Sequence, residues 1–412
     1  MLRLLGFPDP RRHPAMVTGI GIDALGSGLF LPVSVLYFLS TTPVSMADVG
    51  LALSISGLAA IPLVLLSGAL VDRFGPKRLM LAANLVQALG YAAYVAADSM
   101  AAIVVVSALT TVGMSAFWSS YSPMVAAATE PGEREVWFGF LGALRNIGFA
   151  IGGLAAGVAV QIGTPAAFRA LVLINAASFL LAYAVLLRVP TGGPVPVDSR
   201  TPRERGGWAR LLADRPYLLL VSANASYALC VLTLNVAIPV YALRTLGVSG
   251  WVTGALFTFN TVLVGLGQGL VVRAMDGHRR HRIVGLGQGM YAASFVALAA
   301  AAALPAEVTA GAVFLAVAIY TLGELLGGPV LTAAAVEAAP ANLRGRYLAA
   351  YQLSWSLATI LAPAAYLWLL ERGRFLLWAA LIAVATAGAV LASAAARRLP
   401  AASARVTSTT SA

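Results

Sequence analysis

Long apolar runs alternate with short charged or Gly/Pro-rich breaks along almost the whole chain. Between these breaks we predict twelve helical spans of roughly 20–28 residues, each long enough to cross a lipid bilayer with some tilt. The predicted spans cover approximately residues 15–39, 47–71, 79–97, 101–127, 138–162, 167–188, 216–243, 251–272, 283–303, 308–337, 347–369 and 375–396. The pattern therefore predicts an all-α integral membrane protein with twelve transmembrane helices.

The longest polar interruption lies between the sixth and seventh spans. It contains a Gly-Gly-Pro segment at 192–194, further prolines and several charged residues, a composition typical of a linker. This linker divides the chain into two sets of six spans. We therefore expect an N-terminal bundle over 1–188, a cytoplasmic linker over 189–215, a C-terminal bundle over 216–398 and a disordered cytoplasmic tail over 399–412.

The two sets of spans carry similar sequences. Residues 30–33, Phe-Leu-Pro-Val, in the first span match residues 237–240, Ala-Ile-Pro-Val, in the seventh. The polar loop at 68–78, after the second span, has a degraded copy at 269–280, after the eighth. An internal repeat made of membrane spans is typical of secondary transporters, so we expect two six-helix bundles that are related by a pseudo-two-fold axis and enclose a central site.

Composition agrees with a membrane location and predicts an orientation. The chain is 60% hydrophobic and 10% charged with a mean hydropathy of +0.86, whereas soluble domains have about 25% charged residues. Of the 27 Lys and Arg residues, 22 fall in the N-terminus, the even-numbered hairpins and the C-terminus, which predicts that both termini are cytoplasmic. These loops account for the net charge of +11, so nucleic acid is not an expected partner. The single cysteine, Cys230, excludes an internal disulfide.

The loop between the second and third spans carries a specific charge pattern. Four charges between Asp72 and Arg78 cannot lie in hydrocarbon, and Gly75 followed by a proline turns the chain. The pattern resembles the signature loop of the major facilitator superfamily, which lies between the second and third helices. The resemblance implies that Asp72 faces the eleventh helix and that the loop controls the switch between inward and outward states. The loop residues concerned are Gly68, Asp72, Arg73, Gly75, Lys77 and Arg78.

Two residues of opposite charge lie inside the first and fifth spans. Asp23 is about 12 Å from the start of the first span at 1.5 Å per residue, and a carboxylate at that depth needs a partner, water or a proton. Arg145 of the fifth span lies at a similar depth, so we expect the two side chains to form an ion pair. Asp23 is then either a proton or cation site or one member of a structural ion pair.

Glu324 lies near the middle of the tenth span, which contains no Lys or Arg. Burial in a membrane penalises the ionised form of a carboxyl, so such a group can exchange protons near neutral pH. The Gly/Pro-rich range 323–329 weakens a helix, and discontinuous helices often border a binding site. We interpret Glu324 as the main proton-coupling carboxyl, the alternative being a neutral side chain bonded to a neighbouring helix. Glu337, nearer the cytoplasmic end, is expected to be solvated.

Two further segments resemble the drug:proton antiporter branch of the superfamily. Residues 145–157 resemble its glycine-rich motif, in which small residues let helices approach closely, and residues 323–347 resemble its tenth-to-eleventh hairpin. The Gly-Pro pair of the family is absent, because Gly152 is followed by Gly153, and the fourth span lacks the arginine that many relatives carry there. The missing arginine shifts the predicted proton route from the fourth helix to the charged residues at 23, 145 and 324.

Aromatic and amide side chains inside the spans are candidates for lining a substrate cavity, because aromatic walls bind amphiphilic or cationic guests. Taken singly, each is better explained by helix packing than by contact with a ligand. The candidates are Trp118, Tyr121, Tyr227, Asn235, Phe257, Asn260, Tyr320, Tyr351 and Trp355. All three histidines fall in predicted loops and no phosphate-binding loop is present, so we expect no metal site, no cofactor and no direct ATP drive.

Together these features predict a monomeric proton-coupled antiporter of the plasma membrane, not an enzyme, that exports a small amphiphilic compound or drug. A proton-coupled metabolite importer is an alternative, although it should have more charged residues facing the cavity. A non-transporting membrane protein such as a lipid scramblase is a further alternative, which the intact signature loop disfavours. The sequence does not specify the substrate.

Overall fold

The computed structural model describes residues 8–59, 61, 62, 66, 70, 71, 73–129, 134–190, 207–275, 277–340 and 343–397, and its regular elements are helices. The first span consists of two helices joined by a 3₁₀ turn at Leu31–Val33. The helices of the N-terminal half are α1 (Pro14–Phe30), α2 (Ser34–Thr41), α3 (Met46–Leu58), α4 (Pro76–Ala93), α5 (Met100–Ala128), α6 (Arg134–Ile162) and α7 (Pro165–Leu186).

The C-terminal half begins with a short helix that the sequence did not predict. Its helices are α8 (Gly207–Ala213), α9 (Arg215–Val240), α10 (Trp251–Ala274), α11 (Arg280–Ala301), α12 (Ala306–Ala338), α13 (Arg344–Arg372) and α14 (Leu376–Ala396). A π-helical segment, Tyr241–Thr245, extends α9 directly after Pro239, where proline removes one helical hydrogen bond.

The predicted membrane spans are confirmed as helices. Eleven stretches among the described residues are long and apolar enough to cross a bilayer, and α3 is a shorter apolar helix at the start of the second predicted span. Residues 60–72, which complete that span, are described only in part. The predicted linker 189–215 is not wholly irregular, because it contains α8, in which Leu211 is buried. Residues 191–206 and the predicted tail lie outside the described residues.

Local chemistry explains where several helices begin. Ser45, Ser99 and Thr164 each accept a hydrogen bond from the backbone N–H three residues later, at 3.1, 3.4 and 3.3 Å, which satisfies a donor that a helix start leaves unpaired. Proline opens α1, α4 and α7, where its fixed φ suits the first turn. Gly75, directly before α4, has φ of 79°, a conformation that glycine adopts without strain, and this confirms the predicted turn.

The described helices form two compact units. One comprises Met1–Ser199 with Ser249–Thr261, and the other comprises Arg200–Val248 with Val262–Ala412. In the first, α1 packs on α6 and α7, and α4 packs on α5 and α7; in the second, α9 packs on α13 and α14, and α11 packs on α12 and α14. Counted as spans, the first half packs 1 on 5 and 6, and 3 on 4 and 6. The second half packs 7 on 11 and 12, and 9 on 10 and 12, which is the same pattern, as the internal repeat predicts. The division into domains at 188 and 216 stays a prediction.

Apolar side chains cover the outside of both units. Leu89, Val158 and Leu266 are exposed although they lie within span-length helices. Large exposed apolar surface is unusual in water and normal in lipid. The interior of the units holds fully buried aromatic residues, the largest of which are Trp137, Trp378, Tyr37, Tyr217, Tyr241, Tyr291, Tyr320 and Tyr347.

Candidate functional site

The predicted contact between Asp23 and Arg145 is present in the first unit. Arg145 Nη1 donates to Asp23 Oδ2 at 2.9 Å, and both residues are more than nine-tenths buried. Asp23 comes from the middle of α1 and Arg145 from the middle of α6, and these two helices are in close contact. Taking either charge out of water costs free energy that the partner offsets only while the contact lasts. The proton-coupling role of the pair stays a prediction.

Four aromatic rings surround the guanidinium of Arg145. Three of them come from α5 and one lies a helical turn further along α6. A planar cation over a ring face is attracted by the negative face of the π-system. The distances from Arg145 Cζ to the ring centroids are 5.1 Å for Phe117, 4.6 Å for Trp118, 5.7 Å for Tyr121 and 5.1 Å for Phe149.

α5 has no arginine of its own, but it contributes three aromatic rings to the site of the Asp23–Arg145 pair. The chain supplies the cation from α6 and the apolar enclosure from α5. Trp118 remains 51% exposed, whereas Tyr121 is buried. Of the proposed cavity residues, Trp118 and Tyr121 are therefore brought to the Asp23–Arg145 pair. Phe117 and Phe149 were not predicted, although Phe149 lies four residues after Arg145 and so on the same face of α6.

Glu324 lies in the second unit, halfway along α12, and is partly buried. Tyr227 of α9 donates a hydrogen bond to the backbone carbonyl of Glu324 at 3.1 Å. Tyr320 lies one turn before Glu324 on α12, and the ring of Tyr291 of α11 packs against Gly323, the residue before Glu324. The ring centroids of Tyr291 and Tyr320 are 5.0 Å apart. Glu324 is thus placed among phenols from three helices.

The glycines near Glu324 make room for a ring and do not break the helix. α12 runs without interruption from Ala306 to Ala338, so the expected discontinuity at 323–329 is wrong. A Cβ added at Gly327 would lie 2.6 Å from Cε2 of Tyr227, and one at Gly328 would lie 2.8 Å from its hydroxyl. The absence of these two side chains lets Tyr227 lie flat on α12.

The remaining cavity candidates are spread over several surroundings. Trp355 packs at 6.0 Å from Tyr227 and so belongs to the group around Glu324, whereas the Tyr351 hydroxyl pairs with Thr332 at 3.2 Å. Phe257 lies against α6, where a Cβ at Gly153 would come within 2.8 Å of its ring. Asn235 lies on α9 and Asn260 lies on α10.

The signature loop is described in part, since Gly68 and Asp72 lie outside the described residues. Lys77 Nζ donates to the carbonyls of Leu187 and Val189, at 2.9 and 2.6 Å, and so caps the end of α7, where the helix dipole favours a cation. Arg73 stacks on its neighbour Phe74, and Arg78 is exposed. The switching role of the loop stays a prediction.

The degraded copy of this loop contains an ion pair that the sequence did not reveal. Both terminal nitrogens of Arg280, at the start of α11, donate to the carboxylate of Glu337, near the end of α12. The expectation that Glu337 is only solvated is therefore wrong. The reason is that α11 and α12 pack along their length, which brings the two ends together. Within the ranges described, no three His, Cys, Asp or Glu side chains form a group that could hold a metal ion.

One family model matches most of the chain. It is the model of the Major Facilitator Superfamily, and it matches residues 16–363 and, in a second alignment, 220–411. The chain belongs to the Major Facilitator Superfamily. It is therefore a multi-pass membrane transporter that handles small-molecule substrates, as the resemblance of its loop at 68–78 to the signature loop of the family implied.

Its relatives include resistance proteins and a cation antiporter. A tetracycline resistance protein, class G, of Vibrio anguillarum is 26% identical over 49% of this chain and 48% of its own length, so the match spans about half of that relative. A Na⁺, Li⁺, K⁺/H⁺ antiporter of Planococcus maritimus is 25% identical over 76% of this chain and 79% of its own. The multidrug resistance protein MdtH of Aeromonas salmonicida is 24% identical over 81% of each.

Solved structures share the fold. The nucleoside transporter NupG is 13% identical with a TM-score of 0.71, covering 92% of this chain and 97% of that one. A D-xylose–proton symporter is 15% identical with a TM-score of 0.71, covering 94% and 97%. At these identities the likeness establishes the fold alone, which is the twelve-helix major facilitator fold.

Proposed function

We propose that this transporter is a proton-coupled antiporter that exports a small amphiphilic compound across the cytoplasmic membrane by alternating access. The observation that carries the proposal is Glu324, a carboxyl in the middle of a membrane-spanning helix, where Tyr227 donates to its backbone carbonyl and packs against Trp355. A carboxyl placed there can take up and release a proton as its surroundings alternate between wet and dry. The aromatic rings next to it suit an amphiphilic guest.

The direction of transport rests on the relatives. Two of them are named as resistance proteins and one as an antiporter that exchanges cations for protons. Extending export and exchange to this chain is a proposal, because the identities are 24–26%. The same proposal places both termini in the cytoplasm, takes the monomer as the working unit and gives the loop around Asp72 control of the switch between states.

A second role in proton coupling is proposed for the pair of Asp23 and Arg145. Their contact joins α1 to α6, and its strength depends on whether Asp23 is ionised. Protonation of Asp23 would release Arg145 to its aromatic enclosure and loosen the contact between the two helices. We therefore propose that the pair responds to the proton, while Glu324 couples the proton to the substrate.

A vesicle assay tests the role of Glu324. The full-length protein is reconstituted into liposomes with an imposed pH gradient, and ethidium or tetracycline and internal pH are followed together. Glu324→Gln, which mimics the protonated form, should retain downhill exchange and lose accumulation against a gradient. Glu324→Asp should retain part of the coupling, because a carboxyl remains one methylene from its place.

A matched control is available on the same helix. Glu307 is exposed in the first turn of α12, so Glu307→Gln removes the same charge without touching the tyrosine group. It should transport as the unaltered protein does. If Glu324→Gln still concentrates the probe and still moves protons, the coupling carboxyl is elsewhere and Asp23 is the next residue to test.

Proton-coupled import is the second candidate function. It is favoured by the fold likeness to a D-xylose–proton symporter. Cells that produce the protein distinguish the two. Export predicts lower accumulation of the probes than in cells without the protein, with the difference abolished by a protonophore. Import predicts higher accumulation of the transported compound.

A further inference from the structure

The short helix α8 has one apolar side. Its large apolar residues are Trp208, Leu211 and Leu212, and at 3.6 residues per turn they fall within an arc of about 100°. Arg210 projects from the opposite side of the helix and is exposed. α8 is therefore amphipathic, with an apolar side and a charged side.

The protein covers only one edge of this apolar side. Leu211 is buried, whereas Trp208 is 48% exposed and Leu212 is 67% exposed. Residues four positions apart on a helix are neighbours, so Trp208 and Leu212 form one continuous exposed surface. An exposed apolar surface next to charged residues is typical of a contact with a membrane or with another protein.

Hydrogen bonds hold the end of α8 in a fixed place within the second unit. Asp214, the residue between α8 and α9, accepts from the backbone N–H of Tyr217 at 3.1 Å and from the hydroxyl of Tyr347 at 2.9 Å. The Tyr217 hydroxyl in turn donates to the carbonyl of Tyr347 at 2.8 Å. These bonds join the end of α8 to the first turns of α9 and α13, so the position of its exposed apolar surface is defined.

The order of the chain places this surface next to the bilayer. The apolar stretch that includes α9 is long enough to span a membrane and begins at Arg215, two residues after α8 ends. α8 itself is about 10 Å long at 1.5 Å per residue. It therefore lies close to the headgroup region, where tryptophan is enriched and where amphipathic helices bury their apolar side.

The charge of the segment fits anionic lipid. Arg215 is exposed at the start of the span, and residues 189–215 contain five arginines and three acidic residues. Anionic headgroups attract basic residues that lie beside a membrane span. Contact of this segment with the same segment of a second copy would bring like charges together, which is unfavourable. Lipid is thus the cover that matches both the apolar side and the charge.

We infer that α8 is a membrane-surface helix: Trp208 and Leu212 insert into the lipid interface at the edge of the second unit, and Arg215 contacts anionic headgroups. Arg210 then faces the water. The contact ties the start of α9 and of α13 to the bilayer surface. The inference goes beyond the proposed function and does not depend on the substrate, the direction of transport or the coupling ion.

Spin labels on the full-length protein in liposomes test the position of α8. Leu212→Cys and Arg210→Cys are each labelled with a nitroxide, against the low background of the fully buried Cys230. The vesicles contain phosphatidylcholine and phosphatidylglycerol. Oxygen concentrates in lipid and a nickel chelate stays in water, so the label at 212 should collide more often with oxygen and the label at 210 more often with nickel.

Trp208→Ser tests whether the apolar surface holds α8 in the lipid. Combined with the label at 212, it should move that label toward the water and increase its collisions with nickel. Trp251→Ser is the matched control, because Trp251 is 51% exposed at the start of α10 and is not part of α8. It should leave the label at 212 unchanged.

Arg215→Gln tests the contact with anionic headgroups. It should lower the ratio of lipid-inserted to water-exposed label at 212 about fivefold, the effect expected for one arginine at an anionic surface. The substitution should have no effect in vesicles of phosphatidylcholine alone. Arg282→Gln, which removes an exposed charge at the start of α11, is the control and should leave the ratio unchanged in both kinds of vesicle.

Three results would overturn the inference. A label at 212 that meets nickel as often as the label at 210 would place α8 in the water. A label at 212 that is shielded from both reagents would show that protein covers it, and spin–spin broadening would identify that protein as a second copy. An equal effect of Arg215→Gln in both kinds of vesicle would reject the contact with anionic headgroups. None of these measurements involves transport, so they are independent of the vesicle assay of Glu324→Gln.

Discussion

At the scale of single residues, Arg145 shows how a charge is kept inside a membrane helix. One of its nitrogens bonds to Asp23, and ring faces occupy much of the remaining surface. The rings accept a cation without having to be ionised, so the site carries one negative and one positive charge and no excess. Removing one of the two charged side chains leaves the other buried without a counter-charge.

The Asp23–Arg145 contact should therefore behave as a unit. Asp23→Asn or Arg145→Gln alone leaves an uncompensated buried charge, and each should destabilise the protein by about 3–5 kcal/mol. The double substitution removes both charges and should destabilise less than the sum. Thermal unfolding in nanodiscs measures the three variants, and transport assays follow the same series. Strictly additive effects would show that the two side chains are not coupled.

At the scale of elements, the crossing of α6 with the first half of α10 depends on glycine. A Cβ at Gly254 would lie 2.1 Å from the carbonyl oxygen of Gly153 and 2.5 Å from the backbone nitrogen of Gly157. Thr258 Oγ1 also donates across this crossing to the carbonyl of Ala150 at 2.8 Å. The two backbones are therefore in direct contact, as small residues permit in membrane helices.

Gly254→Ala should separate these helices. The added methyl group meets backbone atoms that cannot turn away, so we expect a destabilisation of about 1–3 kcal/mol and a loss of transport. Gly269→Ala is the control on the same helix, because nothing lies within 4 Å of its Cβ position, and it should have little effect. Thermal stability and transport of the purified variants provide the measurements. Equal behaviour of the two variants would contradict a close backbone contact at Gly254.

At the scale of the whole molecule, the arginine and lysine distribution predicts the orientation in the membrane. The structure offers a convenient test, because the single cysteine, Cys230, is fully buried and gives a low background for thiol reagents. Positions 278 and 303 are exposed at opposite ends of α11. The predicted orientation places the first in the cytoplasm and the second outside.

Cysteines introduced at these two ends should therefore label differently. In intact cells, a membrane-impermeant thiol reagent should modify Ala303→Cys and spare His278→Cys. Permeabilised cells should show both. Labelling of His278→Cys in intact cells would reverse the proposed orientation and with it the cytoplasmic placement of the termini.

Much of the fold follows from the order of residues along the chain. Span length, the turn at Gly75 and the separation into two sets of spans are local properties, and each was predictable from hydropathy, charge and proline or glycine positions. The contact of Asp23 with Arg145 was predictable as well, since two opposite charges at equal depth in a bilayer have few other partners. These features depend on position along the membrane normal, which a sequence encodes directly.

Tertiary structure decided how the helices are rotated and which of them meet. The aromatic enclosure of Arg145, the bond of Arg280 to Glu337 and the packing of Tyr227 on Gly327 all depend on which faces of neighbouring helices are apposed. An apolar helix in lipid has little amphipathic pattern, so its sequence hardly indicates which face turns inward. The sequence by itself therefore determined the depth of each residue in the membrane, and only the packing of the helices determined its neighbours.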